Sequence, residues 1–267
     1  MEMTKTILKS CLVIILVIFL SGCVSGYKDR INPDREQARF DSMVYVPEGE
    51  FIMGSNPDDE KRGIYVGLDE LPQRKVFLKG YYIDKYEVTT DLYKKFVDTT
   101  GNKTPFDWKD GNYPEGEGYL PVAHIDWYDA DAYCKWAGKR LPTEAEWEKA
   151  ARGTDGRIYP WGDVYDMKKT NTKDWNRERV PVGSLPEGAS PYGVMDMAGN
   201  IWEWTADWYK PYQGSTLQRD IFGETHKVIR GGGWNSYGEL ARTNERYPLP
   251  PDESYQCFAG ARCVKDD

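Results

Sequence analysis

Hydrophobic and polar positions alternate in short runs along this chain, and the patterns predict many brief elements. Met43-Val-Tyr-Val46 and Phe51-Ile-Met53 read as short strands on either side of the turn Pro47-Glu-Gly49. Lys75-Val-Phe-Leu78 and Tyr81-Tyr-Ile83 read as a hairpin turning at Lys79-Gly80. Thr90 can cap a helix reaching about Val97, with Leu92 and Phe96 one turn apart on the same face. Asp126, with Asp129 three residues on, opens a second helix on which Ala130, Cys134 and Ala137 share a face. Gly138 closes that helix, because glycine tolerates the left-handed conformation. Thr143-Glu-Ala-Glu146 is a capping box, in which hydroxyl and carboxylate each satisfy an orphan N–H; this third helix runs to about Arg152 and stops at Gly153. Beyond it the periodicity fades into segments rich in Gly, Pro, Asn and Trp, with no internal repeat. All ten tryptophans lie between Trp108 and Trp234, which suits loops packed around few regular elements. The fold class is α+β with much coil.

The first residues follow a different pattern. Lys5 and Lys9 precede the apolar run from Cys11 to Leu20, which is too short to span a bilayer comfortably. The run ends in Leu20-Ser21-Gly22-Cys23, which resembles a bacterial lipobox whose Cys23 thiol takes the lipid. Residues 1–22 are therefore expected to be a lipoprotein signal peptide, and residues 23–42 a lipid-anchored tether. The folded domain is expected from residue 43 to 267. Val24 follows the lipid-bearing cysteine where Asp would favour inner-membrane retention, so an outer-membrane or periplasmic destination is preferred within a bacterial cell envelope.

Composition narrows the function classes. The 267 residues carry 35 Lys+Arg against 43 Asp+Glu, a formal charge of −8 with no basic block, so no nucleic-acid partner is expected. An aromatic content of 14% rules out a disordered chain. Two histidines exclude a His-rich metal site: His124, between Ala123 and Ile125 on an expected strand, reads as packed, and His226 as a surface residue. No Gly-rich phosphate loop or nucleophile elbow occurs. Once Cys11 is cleaved away and Cys23 acylated, Cys134, Cys257 and Cys263 remain, enough for one disulfide and one spare thiol in an oxidising compartment. Either of the last two could close a loop back to Cys134, worth about 4–5 kcal/mol in the chain-entropy model.

Several motifs in register carry a family resemblance. Phe51-Ile-Met-Gly-Ser55, Glu87-Val-Thr89, Pro121-Val-Ala-His-Ile-Asp-Trp127, Ala137–Glu148 and Tyr159-Pro-Trp-Gly162 resemble the formylglycine-generating enzyme (sulfatase-modifying factor) family. So do Met197-Ala-Gly-Asn-Ile-Trp-Glu-Trp204, Arg230-Gly-Gly-Gly-Trp234 and Gly260-Ala-Arg-Cys263. The resemblance covers residue 43 to the end and implies a C-type-lectin-like fold with little regular secondary structure. It also implies that Cys263 is the partner of Cys134.

The family's enzyme oxidises a substrate cysteine with O₂ and Cu(I) held by two thiolates, since soft thiolates select monovalent copper. Counting from Arg230, the matching positions hold Ser236 and Ala241, and Gly233 replaces the family's serine. Copper and sulfatase activation are therefore not expected. Calcium transfers better: the resemblance places a structural Ca²⁺ on the carboxylates of Asp196 and Glu203 and the carbonyls of Gly199 and Ile201. A second site would draw on Asn171, Thr172 and Asp174, where the segment before Pro181 is shortened.

Two functions follow from the resemblance. The first is a non-catalytic binding or scaffold lipoprotein, membrane-attached through its lipid, that recognises a peptide, envelope protein or glycan through Trp234, Asn235, Ser236, Arg242 and Arg246. The alternative is an enzyme of altered, copper-independent chemistry acting on an exported peptide or metabolite, with Ser236, Glu239, Arg242 and Glu245 as its candidate catalytic set. Arg230, Arg242, Arg246 and Arg262 form a recurrent arginine set in this part of the chain, and taken singly each is expected to pair with Asp and Glu among the loops.

Overall fold

The computed structural model describes residues 42–176, 178–255 and 258–267, all within one unit of the chain. The expected signal peptide, Cys23, the tether up to Asp41 and the spare Cys257 lie outside the described residues.

Among the described residues, nine short strands and three α-helices follow in the order β1 (Met43–Val46), β2 (Gly49–Met53), β3 (Arg74–Leu78), β4 (Tyr81–Asp84), α1 (Thr90–Thr100), α2 (Trp127–Trp136), α3 (Glu144–Arg152), β5 (Trp202–Trp208), β6 (Lys227–Arg230), β7 (Tyr247–Leu249), β8 (Ala259–Gly260) and β9 (Val264–Asp266). They form a three-stranded sheet β1-β4-β9, a ribbon β2-β3 and a four-stranded sheet β7-β6-β5-β8. Within the last sheet β5 and β8 run parallel and the other pairs antiparallel.

Each helix starts where its cap residue dictates. Thr89 accepts from Leu92 N, Asp126 from Asp129 N, and Thr143 forms the full capping box with Glu146. The first helix is longer than the sequence pattern indicated, and it ends at Gly101 in the left-handed conformation.

The expected hairpin at Lys79-Gly80 does not form. Both strands exist, but β3 pairs with β2, while β4 pairs with β1 on one edge and β9 on the other. Tyr81 and Ile83 explain the choice. They point into a core made by Val46, Trp147, Ala150, Ala151 and Val264, which β1, α3 and β9 supply. Lys79-Gly80 is thus a crossover between sheets, and a side chain at position 80 would strike the Tyr45 ring.

The C-terminal strand β9 closes the first sheet, while Lys265, Asp266 and Asp267 stay exposed. Arg140 bridges Glu146 at 2.7 Å and Asp266 at 2.5 Å, and Tyr45 donates to Asp267 at 3.2 Å. Cys134 on α2 and Cys263 just before β9 form the disulfide, both fully buried, with Cα atoms 5.6 Å apart. It ties α2 to the C-terminal segment inside the larger core, among Tyr93, Phe96, Tyr133, Trp202 and Trp204.

Almost all of α3 is buried, although it carries Glu144, Glu146, Glu148, Lys149 and Arg152. Buried charges are tolerable only when paired. Glu148 pairs with Arg152 at 2.7 Å and also with Arg230. The Lys149 ammonium donates to the Pro47 carbonyl at 2.6 Å and to that of Gly49 at 3.0 Å. This polar helix packs against β2, β5 and β6, and the 196–203 segment leads into β5 while the 231–246 segment leaves β6.

Candidate functional site

Residues 196–203 lead into β5 through a tight backbone path. Asp196, Gly199 and Asn200 have φ of 58°, 86° and 68°. At Gly199 only glycine fits, because a Cβ would overlap the Asn171 carbonyl. The Asn200 N–H donates to that carbonyl at 2.8 Å, so the two expected calcium-binding segments are joined backbone to backbone.

Three carboxylates gather beside this junction. Glu203 is fully buried and accepts from Arg262 Nε at 2.6 Å, Arg262 Nη2 at 2.7 Å and Trp147 Nε1 at 2.7 Å. Asp196 accepts from the Gly183 N–H at 2.6 Å, and burial pushes its carboxyl up to about 6. Glu87 accepts from Asn200 Nδ2 at 2.6 Å and Ile201 N at 3.2 Å. Burial, then the charges of Asp196 and Glu203, raise the Glu87 carboxyl well above its usual range. One guanidinium, that of Arg262, faces all three. The cluster is short of positive charge.

Sequence reasoning placed Glu87 only in a family motif and missed it as a site residue. Its signal was present: an acid set directly between two large apolar residues, Tyr86 and Val88. Of the second expected calcium set, Asn171 donates to Asn200 Oδ1 at 3.0 Å while its own buried Oδ1 has no hydrogen-bond partner. The Thr172 carbonyl accepts from Trp175 and Asn176. Asp174 faces away, accepting from Tyr165 Oη at 3.0 Å and Gly238 N at 2.9 Å.

The segment after β6 is closed and paired. Ser236 is buried, and its Oγ accepts from Trp202 Nε1 at 3.1 Å and Gly233 N at 3.2 Å. Ala241 is fully buried. Arg242 and Arg246, expected at a recognition surface, lie inside instead. Arg242 grips Glu70 through both terminal nitrogens at 2.9 Å and also pairs with Glu245. Arg246 grips Glu144 at 2.6 and 2.9 Å and donates to the carbonyls of Asp69 and Lys210. Loop carbonyls and buried acids thus use the donors that a ligand would need.

The candidate catalytic set does not converge either. Glu239 is exposed, with its backbone carbonyl taken by Arg242 Nε at 2.8 Å. Burial raises the Glu245 carboxyl to about 8, with the Arg242 charge opposing the rise and the Glu70 charge adding to it.

Trp234 is different. It lines a cavity of about 310 Å³ with Glu117, Leu120, His124, Glu178, Arg179 and Phe258. His124 is packed as expected, but in a bend with φ of 60° and not on a strand. Its ring meets Phe106 at 4.4 Å and Phe258 at 4.6 Å, and Phe258 meets Trp234 at 4.9 Å. Asn235, beside Trp234, is half-buried with an Oδ1 that has no partner. Except for Trp234, the residues of this cavity were not legible as a site, since they come from four separated segments.

The model of the sulfatase-modifying factor enzyme 1-like domain matches residues 28–267. A Chlamydia trachomatis protein named serine/threonine-protein kinase Pkn1 is 34% identical over 92% of this chain. The chain spans only 41% of that protein's length. The mouse protein named inactive C-alpha-formylglycine-generating enzyme 2 is 32% identical, over 85% of this chain and 88% of its own. Among solved structures, PvdO from Pseudomonas aeruginosa superposes with a TM-score of 0.70 at 28% identity, covering 84% of this chain and 94% of PvdO.

Proposed function

This chain belongs to the sulfatase-modifying factor (formylglycine-generating enzyme) family, and on that premise we propose that it is a non-catalytic binding module of the bacterial cell envelope. Its fold is the α+β, C-type-lectin-like fold of that family, with few helices and much loop.

The observation that carries the reading is the state of the copper positions. Cu(I) needs two soft thiolates. Ser236 offers a hydroxyl already engaged by Trp202 and Gly233, and Ala241 offers no donor. These residues do not fit the ion. The mouse relative whose name includes the word inactive agrees with a framework kept without its chemistry. The kinase name of the chlamydial relative belongs to a much longer protein, and this sequence has no Gly-rich phosphate loop.

The recognition surface in this reading is the Trp234 cleft, with an envelope protein, peptide or glycan as the ligand. The lipid on Cys23 would hold the domain at the membrane. A structural calcium at the junction of residues 171 and 199 is part of this reading, supported by the raised pKa of two of its three buried acids and by the orphaned buried Asn171 Oδ1. Among the described residues, however, no group of three or more acids, histidines or cysteines is arranged to hold a metal ion. Asp196, Glu203 and the carbonyls of Gly199 and Ile201 would hold the ion. Its role is to neutralise that cluster and tie irregular loops together. Against the copper-independent enzyme stand the hydrogen-bonded Ser236 hydroxyl and the Arg242 guanidinium shared between Glu70 and Glu245, and none of these side chains lines the Trp234 cavity.

The test is capture of envelope components on the immobilised full chain and on its Trp234→Ala variant. A ligand retained by the parent and lost with the variant supports the reading. Capture indifferent to Trp234 overturns it.

A further inference from the structure

The geometry points to an alkylated ammonium group as the ligand of the Trp234 cleft. This deepens the binding-module reading and rests on it.

The walls are aromatic and the rim is acidic. Trp234, Phe258 and His124 are linked ring to ring at 4.9 and 4.6 Å, and Phe106 and Tyr255 extend the row outward at 4.4 and 4.8 Å. Ring faces carry negative potential and attract a cation within about 6 Å of their centroids. Arg179 would oppose a cation, but it is already neutralised. Its Nη2 lies 3.3 Å from Glu117 and 3.7 Å from Asp107, and its Nη1 donates to the Pro121 carbonyl at 2.9 Å. Glu178, exposed at the same cavity, makes no ion pair among the described residues. Among the described residues, the carboxylates of Glu117, Asp107 and Glu178 therefore outnumber the Arg179 guanidinium. Burial lowers the His124 pKa, so the imidazole stays neutral and adds no repulsion.

The backbone supports a selected arrangement. His124 and Phe258, whose rings touch, both have positive φ, 60° and 48°. That region is unfavourable for residues with bulky side chains, and a pair of such residues at one cavity is the kind of strain that binding sites retain. A soft alkylated cation suits this wall better than a strongly hydrated ammonium, because methyl groups can lie against rings without losing a tight water shell.

Calorimetric titration of the full chain with choline, and with the neutral isostere in which carbon replaces its nitrogen, tests the assignment. Choline is expected to bind, and the isostere about tenfold more weakly or not at all. Glu178→Gln is exposed and is expected to weaken choline several-fold with an unchanged melting temperature; Trp234→Phe should weaken it less than Trp234→Ala. Equal binding of choline and its isostere would overturn the proposal, as would no choline binding by the parent chain. Binding of a lysine peptide in place of choline would also overturn it and move the site to a peptide side chain. Trp234-dependent capture of an envelope component, without choline binding, would leave the binding module standing and sink only this ligand.

Discussion

Arg262 holds Glu203 through two parallel hydrogen bonds, Nε to Oε2 at 2.6 Å and Nη2 to Oε1 at 2.7 Å, with both side chains fully buried. Arg262 also donates to the Met195 carbonyl at 2.9 Å, so it ties β5 to the loop that carries Asp196. Removing one partner leaves an uncompensated buried charge, which costs about 3–5 kcal/mol. Arg262→Met is therefore expected to lower the urea midpoint by that equivalent. Arg262→Lys should recover only part of the loss, because an ammonium cannot reproduce the fork.

Calcium should stabilise the domain through Asp196. At a concentration a hundredfold above its dissociation constant, an ion bound only to the folded state adds about 2.7 kcal/mol, or roughly 5–10 °C in a domain of this size. Thermal unfolding with calcium and with chelator measures this. Asp196→Ala should abolish the difference. A parent melting temperature indifferent to chelator would remove calcium from the account.

Glu245 gives stability a pH dependence of definite sign. Its folded pKa is about 8, against an ordinary value near 4.5, chiefly because it is buried, with Glu70 beside it on the shared Arg242. The folded state thus keeps a proton that the unfolded chain releases. Its contribution favours folding at low pH and is progressively lost as pH rises from about 4.5 to 8. Denaturation midpoints of Glu245→Gln, measured between pH 5 and 8, should show a shallower fall than the parent.

The Cys134–Cys263 disulfide closes a loop across 129 positions of sequence. Cys134→Ser with Cys263→Ser is expected to cost about 2–5 kcal/mol. Guanidinium midpoints of this double variant and of the reduced parent should agree.

How much of this was legible follows from which interactions are local. The Thr143–Glu146 box and the Asp126 cap need partners three residues away, so the sequence displays them. Strand pairing does not obey that limit: β4 chose β1 and β9 because Tyr81 and Ile83 need the Trp147 core, not because Leu78 is near. The recurrent arginines were visible and their pairing with loop acids was foreseen, whereas the recognition-surface role given to Arg242 and Arg246 fails because Arg242 finds Glu70 at a separation of 172 residues and Arg246 finds Glu144. The family motifs located the calcium segment, yet the acid that completes its cluster, Glu87, comes from before α1. The Trp234 cleft assembles from residues 117–124, 178–179, 234 and 258, and no periodicity marks such a set.

The central claim is that the family framework persists here without its oxidation chemistry. Mass spectrometry of a Cys-x-Pro-x-Arg peptide, after incubation with the full chain, Cu(I) and O₂, addresses it most directly. The expected spectrum shows the peptide unchanged by the protein. Conversion of its cysteine to formylglycine would contradict the account.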